Sequence, residues 1–208
     1  MALEEGRRRF SILMIETLLE LQRLKQLDRT GWTLRGQTAG AESVAAHTYG
    51  VCVVAMLLAD ELVRRGATVN VERVLRLALV HDWAEARLGD MPRTGSLYFG
   101  GDARRDAERA AFDDIVKSLG TANEKFYGEL HEDYETRASL EARLVKAADV
   151  IDLLLQALTF ERAGVRGLDE FWENVAERNL LLEGAAQDLV GEILRELAVA
   201  HAKAVAAG

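Results

Sequence analysis

The chain has 208 residues, 49% of them hydrophobic and 29% charged. This is the balance of a globular protein with one substantial core, so a single domain over 1–208 is expected. With 34 acidic and 26 basic residues the formal charge is −8, which argues against long nucleic acids and membranes as partners, since both need a basic footprint. A small phosphorylated ligand stays compatible, because a local basic pocket or a bound cation can hold it. Cys52 is the single cysteine, which excludes an internal disulfide and a cysteine-rich zinc site.

Over residues 4–27, Phe10, Leu13, Ile15, Leu18, Leu19, Leu24 and Leu27 recur at mostly helical spacing with charges between them, predicting a first helix. The opening "MALEEGRRRFSILMIE" has acidic residues and no cleavable apolar core, so it does not read as a secretory signal and a cytoplasmic location is expected. "DRTGWTLRGQTAGAESVAAH" is rich in glycine and threonine and reads as a connecting loop. Long loops in compact domains often carry function, and Arg29, Trp32 and Arg35 suit recognition better than a plain linker. Ser43 can cap the next helix, which runs through His47 to about Arg65 and breaks at Gly66. Its run "VCVVAMLLA" is the longest unbroken apolar segment, far short of a membrane span. A helix over about 71–88 stops at Gly89, with Pro92 beyond. "TGSLYFGGD" is a second glycine-rich loop, after which helical patterns occupy about 102–119, 121–131, 137–163, 168–180 and 182–205. Neither two-residue alternation long enough for a sheet nor an internal repeat is present. The fold class is all-α.

Chemistry concentrates in "LVHDWAEARLGDMPR", residues 79–93. On a continuous helix His81 and Glu85 share one face, and Asp82 neighbours Glu85. Two ligands do not hold a catalytic metal firmly, so partners from other helices are required. His47, on a mostly apolar helix, is one candidate. Asp149 is the other, set among Leu144, Val145, Val150, Leu153 and Leu154, where an unpaired carboxylate is costly. A bound cation, Lys146 or an arginine would each answer that cost. Two imidazoles and two carboxylates suit one divalent ion, Mn, Fe, Co, Zn or, less well, Mg. Four protein ligands would leave positions for water and a substrate oxygen.

The order H…HD…D in a helical context resembles the HD-domain metal-dependent phosphohydrolases. "RTGW", "ESVAAHTYGV", "ALVHDWAEARLGDMP" and "EARLVKAADVIDLLLQAL", spread over residues 28–163, are similar to blocks of the 5′-deoxynucleotidase group within that family. The resemblance implies an HD-type helical bundle with a metal site between helices, ligated by His47, His81, Asp82 and Asp149. It implies a general acid/base role for Glu85, and for Asp90 a bond to the sugar hydroxyl or to the metal's water. It places Trp32 near the sugar, where bulk favours deoxyribose, and Arg29 or Arg35 on the phosphate. Gly31 stands where some members carry an arginine. Thr94 is a further candidate for substrate contact, and Glu108 for support of the site. The implied activity is metal-dependent hydrolysis of deoxyribonucleoside 5′-monophosphates. Alternatives are an HD-type hydrolase of another nucleotide (a triphosphohydrolase or phosphodiesterase) and a non-catalytic helical metal-binding protein. A homodimer is expected, with residues 164–208 serving packing or dimerisation. His131 and His201, outside these blocks, read as surface residues.

Overall fold

Polar caps set where the main helices begin. In the computed structural model, which describes residues 2–92, 95, 98, 100–175 and 178–206, with side chains from residue 11 onward, the Ser43 hydroxyl accepts from Ala46 N at 3.1 Å. Asn70 Oδ1 accepts from Arg73 N at 3.0 Å, and the Ser139 hydroxyl from Ala142 N at 3.0 Å. Each satisfies an N–H that the first helical turn leaves without a partner.

The helices whose bounds lie among the described residues are α1 (Ala2–Leu21), α2 (Thr30–Thr33), α3 (Val44–Arg64), α4 (Val71–Val80), α5 (Glu85–Leu88), α6 (Gly101–Val116), α7 (Thr121–Thr136), α8 (Leu140–Arg162), α9 (Asp169–Trp172) and α10 (Gly184–Ala206). One turn of 3-10 helix follows α1, and another follows α6. Among the described residues the only β feature is an isolated antiparallel bridge between Asp28 and Ser43. The fold is all-α, as the sequence predicts.

The chain gathers into two compact units that alternate along it, Met1–Thr48 with Val80–Glu135, and Tyr49–Leu79 with Thr136–Gly208. In the first unit Leu24, Val44, Ala86 and Ile115 form a buried cluster, with Leu21, Leu27, Ala45 and Trp83 packed against it. Residues from the ends of the glycine-rich loop and from the HD stretch therefore share one core. In the second unit the long helices α8 and α10 pack together. They bury Leu144, Ile151, Leu154 and Leu158 from α8, and Leu189, Val190, Leu194 and Leu197 from α10. By length and composition α3 could cross a membrane. Within the second unit its Val51, Ala55, Leu58, Ala59 and Leu62 are buried in the core.

Two predicted helices are shorter than expected. The 71–88 pattern is not one helix: α4 ends at Val80, residues 81–84 form turns, and α5 restarts at Glu85. The bonds Trp83 N to Val80 O, Glu85 N to Asp82 O and Ala86 N to Trp83 O, all near 3.1 Å, close rings one residue tighter than an α-helix. His81 and Glu85 are thus not held on one continuous helical face. At the other end, Gly89 stops α5 at φ +81, the punctuation the sequence announces. Of the 168–180 pattern, the described residues hold α9 and a 3-10 residue at Val175, and between them the backbone turns left-handed at Asn174, φ +54. The loop after α1 also contains α2, a single turn that the glycine-rich composition conceals.

Candidate active site

The tight turn after α4 brings His81 and Asp82 to the start of α3, inside the first unit. Asp82 Oδ2 lies 3.1 Å from His81 Nε2 and 3.9 Å from His47 Nε2. Both imidazoles are buried, and their ring centroids are 5.6 Å apart. Tyr134 of α7 meets the His81 ring edge-on at 5.5 Å. Burial raises the cost of a charge on Asp82, yet His81, Arg29 and His47 outweigh it and hold the carboxyl below the ordinary carboxylate range.

The HD stretch and the glycine-rich loop are clamped together. Arg29 Nη1 reaches Asp82 Oδ2 at 3.4 Å and Asp90 Oδ1 at 3.2 Å. Thr30 donates its backbone N–H to Asp90 Oδ2 at 2.5 Å and its hydroxyl to the Asp90 carbonyl at 2.7 Å. Trp32, 1% exposed, donates its indole N–H to Glu42 and anchors the loop from beneath. Arg35 Nη1 donates to the carbonyl of Gly31 at 2.7 Å, bracing its own turn.

Glu85 is the acid set apart. Its Oε2 is buried and makes no hydrogen bond among the described residues. Burial, followed by the charges of Asp82 and Asp90, pushes its carboxyl up to about 10, so it carries a proton near neutral pH. A buried carboxylic acid beside a cluster of metal-ligating atoms can give a proton to a leaving group.

His47, His81 and Asp82 each offer a ligand atom, and the three lie within 4.8 Å of one another. Two atoms that bind one ion at right angles, each about 2.1 Å from it, stand about 3 Å apart. The 3.1 Å between Asp82 and His81 matches that and the 3.9 Å between Asp82 and His47 is longer, while a set of two nitrogens and one carboxylate oxygen fits a divalent transition metal.

A family model described as an HD domain matches residues 21–187. The chain belongs to the HD-domain family. The matched span runs through both units, from the turn after α1 into α10. This HD domain is 36% identical to the 5′-deoxynucleotidase HDDC2 of Homo sapiens over 148 residues, 71% of this chain and 68% of that protein. It is 30% identical to the 5′-deoxynucleotidase hdd1 of Schizosaccharomyces pombe over 189 residues, 88% of this chain and 91% of the other. The solved structure of PH0347 protein from Pyrococcus horikoshii OT3 matches with a TM-score of 0.76 at 35% identity, covering 89% of this chain and 99% of that one.

The remaining predicted residues of the HD domain fall as follows. Asp149 belongs to the second unit, where Lys146 Nζ lies 2.7 Å from its Oδ2, one of the partners that answer the cost of a carboxylate in apolar surroundings. Thr94 lies outside the described residues. Glu108 pairs with Arg104 on α6 at 2.6 Å. His131 and His201 are not free surface residues. His131 is 4% exposed and stacks on Phe112. His201 stacks on Trp172, and its Nδ1 lies 2.9 Å from Oε2 of the buried Glu161. Their positions outside the motif blocks carried no information about which neighbours cover them. Sequence reasoning missed Thr30 and Glu42, which hold the loop in place. The signal was available in the capping-type residues around Trp32, though not the identity of their partners.

Proposed function

We propose that this HD domain is a metal-dependent phosphomonoesterase that hydrolyses deoxyribonucleoside 5′-monophosphates to deoxynucleoside and phosphate. The observation that carries it is the convergence of His47, His81 and Asp82, with the protonated Glu85 on the same short stretch, in a chain whose relatives bear the name 5′-deoxynucleotidase. His47, His81 and Asp82 would hold the ion, and the order H…HD…D supports Asp149 as a fourth ligand. The ion supplies Lewis acidity at the phosphoryl group and lowers the pKa of water.

The chain's own groups do the rest. Arg29 offsets the charges of Asp82 and Asp90, so that a phosphate dianion can approach three carboxyl groups. Glu85 donates its proton to the leaving 5′-oxygen as the P–O bond breaks, and recovers one from the water that has attacked phosphorus. The net change is addition of water across that bond. Asp90 and Thr30 hold the glycine-rich loop over the site. Trp32, buried and fixed by Glu42, would act on the choice of sugar by setting the shape of the loop above it. The protein works as a homodimer in the cytoplasm.

The deciding experiment offers deoxyribo- and ribonucleoside 5′-monophosphates, nucleoside triphosphates and cyclic dinucleotides to purified protein with Mn²⁺ or Co²⁺, and measures phosphate release. Release from the deoxynucleoside monophosphates is expected. Turnover confined to triphosphates or cyclic dinucleotides would replace the substrate assignment, and no turnover of any ester would end the hydrolase reading.

A further inference from the structure

The arginines that surround the site differ in what occupies their guanidinium groups. Arg29 already bridges Asp82 and Asp90, and Arg35 is turned onto its own backbone. Arg87 spans Glu20 and Asp114. Arg104 is different. It lies on α6, which packs against α5, the short helix that begins with Glu85. Its Nε donates to Glu108 Oε1 at 2.6 Å, and its two terminal nitrogens have no hydrogen-bond partner among the described residues. The side chain is 36% exposed, against 19% for Glu108, so the carboxylate is the sheltered member and the fork stays open to solvent.

We infer that Arg104 binds the phosphoryl oxygens of the substrate through that open fork, with Glu108 as its positioning residue. The inference rests on the phosphomonoesterase reading for the identity of the anion. A guanidinium tethered at Nε keeps its two terminal N–H₂ groups coplanar and parallel, the arrangement that meets two phosphate oxygens at once. Burial disfavours the charge on Arg104, while the hydrogen bond to Glu108 and the charges of Glu108 and Glu135 restore it. The cation stands on the helix that packs against α5, which opens with Glu85, the acid assigned to the leaving group. Its positive charge complements a site otherwise lined by Asp82, Glu85 and Asp90, in which Arg29 is already engaged. The tether also lowers the entropy lost when the fork takes its ligand, because the side chain is already held in place.

The test titrates inorganic phosphate into metal-loaded protein and measures KM and kcat on a deoxynucleoside monophosphate for wild type, Arg104→Gln, Arg104→Lys and Glu108→Gln. Thermal melting and metal content are measured on each. For Arg104→Gln, the dissociation constant for phosphate and KM both rise by about tenfold or more, with metal content unchanged. Arg104→Lys, which keeps the charge and loses the fork, recovers part of that loss. Glu108→Gln gives a smaller rise of the same kind. Phosphate binding by Arg104→Gln as tight as by wild type overturns the inference, and so does a wild type that binds no phosphate. A wild type that binds phosphate through Arg104 yet turns over no nucleotide leaves this assignment standing and defeats the activity reading alone.

Discussion

His131 stacks on Phe112 with ring centroids 4.2 Å apart. Burial is the main reason its imidazole is pushed down to about 4; Glu132 pulls the value up and Arg109 pushes it down further. The folded protein therefore keeps His131 neutral, while the unfolded chain takes up a proton below about 6.5. Stability from this residue is fully present above that pH. It is lost as pH falls from about 6.5 toward about 4, by on the order of 3 kcal/mol across the window, and the loss levels off below it. Denaturant unfolding of wild type and His131→Phe at about pH 7 and about pH 4.5 checks this. The phenylalanine variant keeps the stack and should show a shallower decline. Equal declines in the two proteins would mean that another group titrates.

At the scale of elements, α3 and α8 meet in the second unit with little room. A Cβ added at Gly50 of α3 would lie 1.9 Å from Asp152 Oδ1 of α8. Alanine is normally about 0.5–1 kcal/mol better than glycine inside a helix. Here the Asp152 carboxylate would have to leave its place, and overpacking of this kind costs about 1–3 kcal/mol. Gly50→Ala should therefore lower the melting temperature instead of raising it. A variant more stable than wild type would show that the carboxylate moves aside at no cost. The same interface explains why α3 tolerates a glycine in its middle: the gap lets a polar side chain of the neighbouring helix approach its backbone.

For the whole molecule, the proposed ligands come from three separate stretches of the chain, at positions 47, 81–82 and 149. The unfolded chain offers no such set, so metal binding is linked to folding. Free metal at about 100 times Kd should add about 2.7 kcal/mol to the stability of the folded state. Dialysis against a chelator should lower the melting temperature, and Mn²⁺ or Co²⁺ should restore it. Asp82→Asn should melt at one temperature with or without the ion. If wild type melts identically in chelator and in metal, the ion is not bound by the folded protein. The chain leaves the first unit after Thr48 and returns to it at Val80, so His47 stands far in sequence from the His81–Asp82 pair it meets.

Much of this was determined by local physical chemistry. Apolar spacing and the caps Ser43, Asn70 and Ser139 place the starts of helices α3, α4 and α8 within a few residues of where the pattern puts them, because a cap and a 3.6-residue repeat act over one or two turns. Membership of the HD family was likewise carried by H…HD…D and its flanking blocks. Tertiary structure alone decided the break at residues 81–84, where α4 ends and packing of the short α5 against neighbouring elements outweighs helical continuity. It also decided that His131 and His201 are covered, and that Arg29 is bound to Asp82 and Asp90. An Arg–Glu pair four residues apart reads the same on a solvated face as beside an active site. Arg104 and Glu108 acquire their meaning from α6 packing on α5, since burial and electrostatic surroundings depend on neighbours distant in sequence.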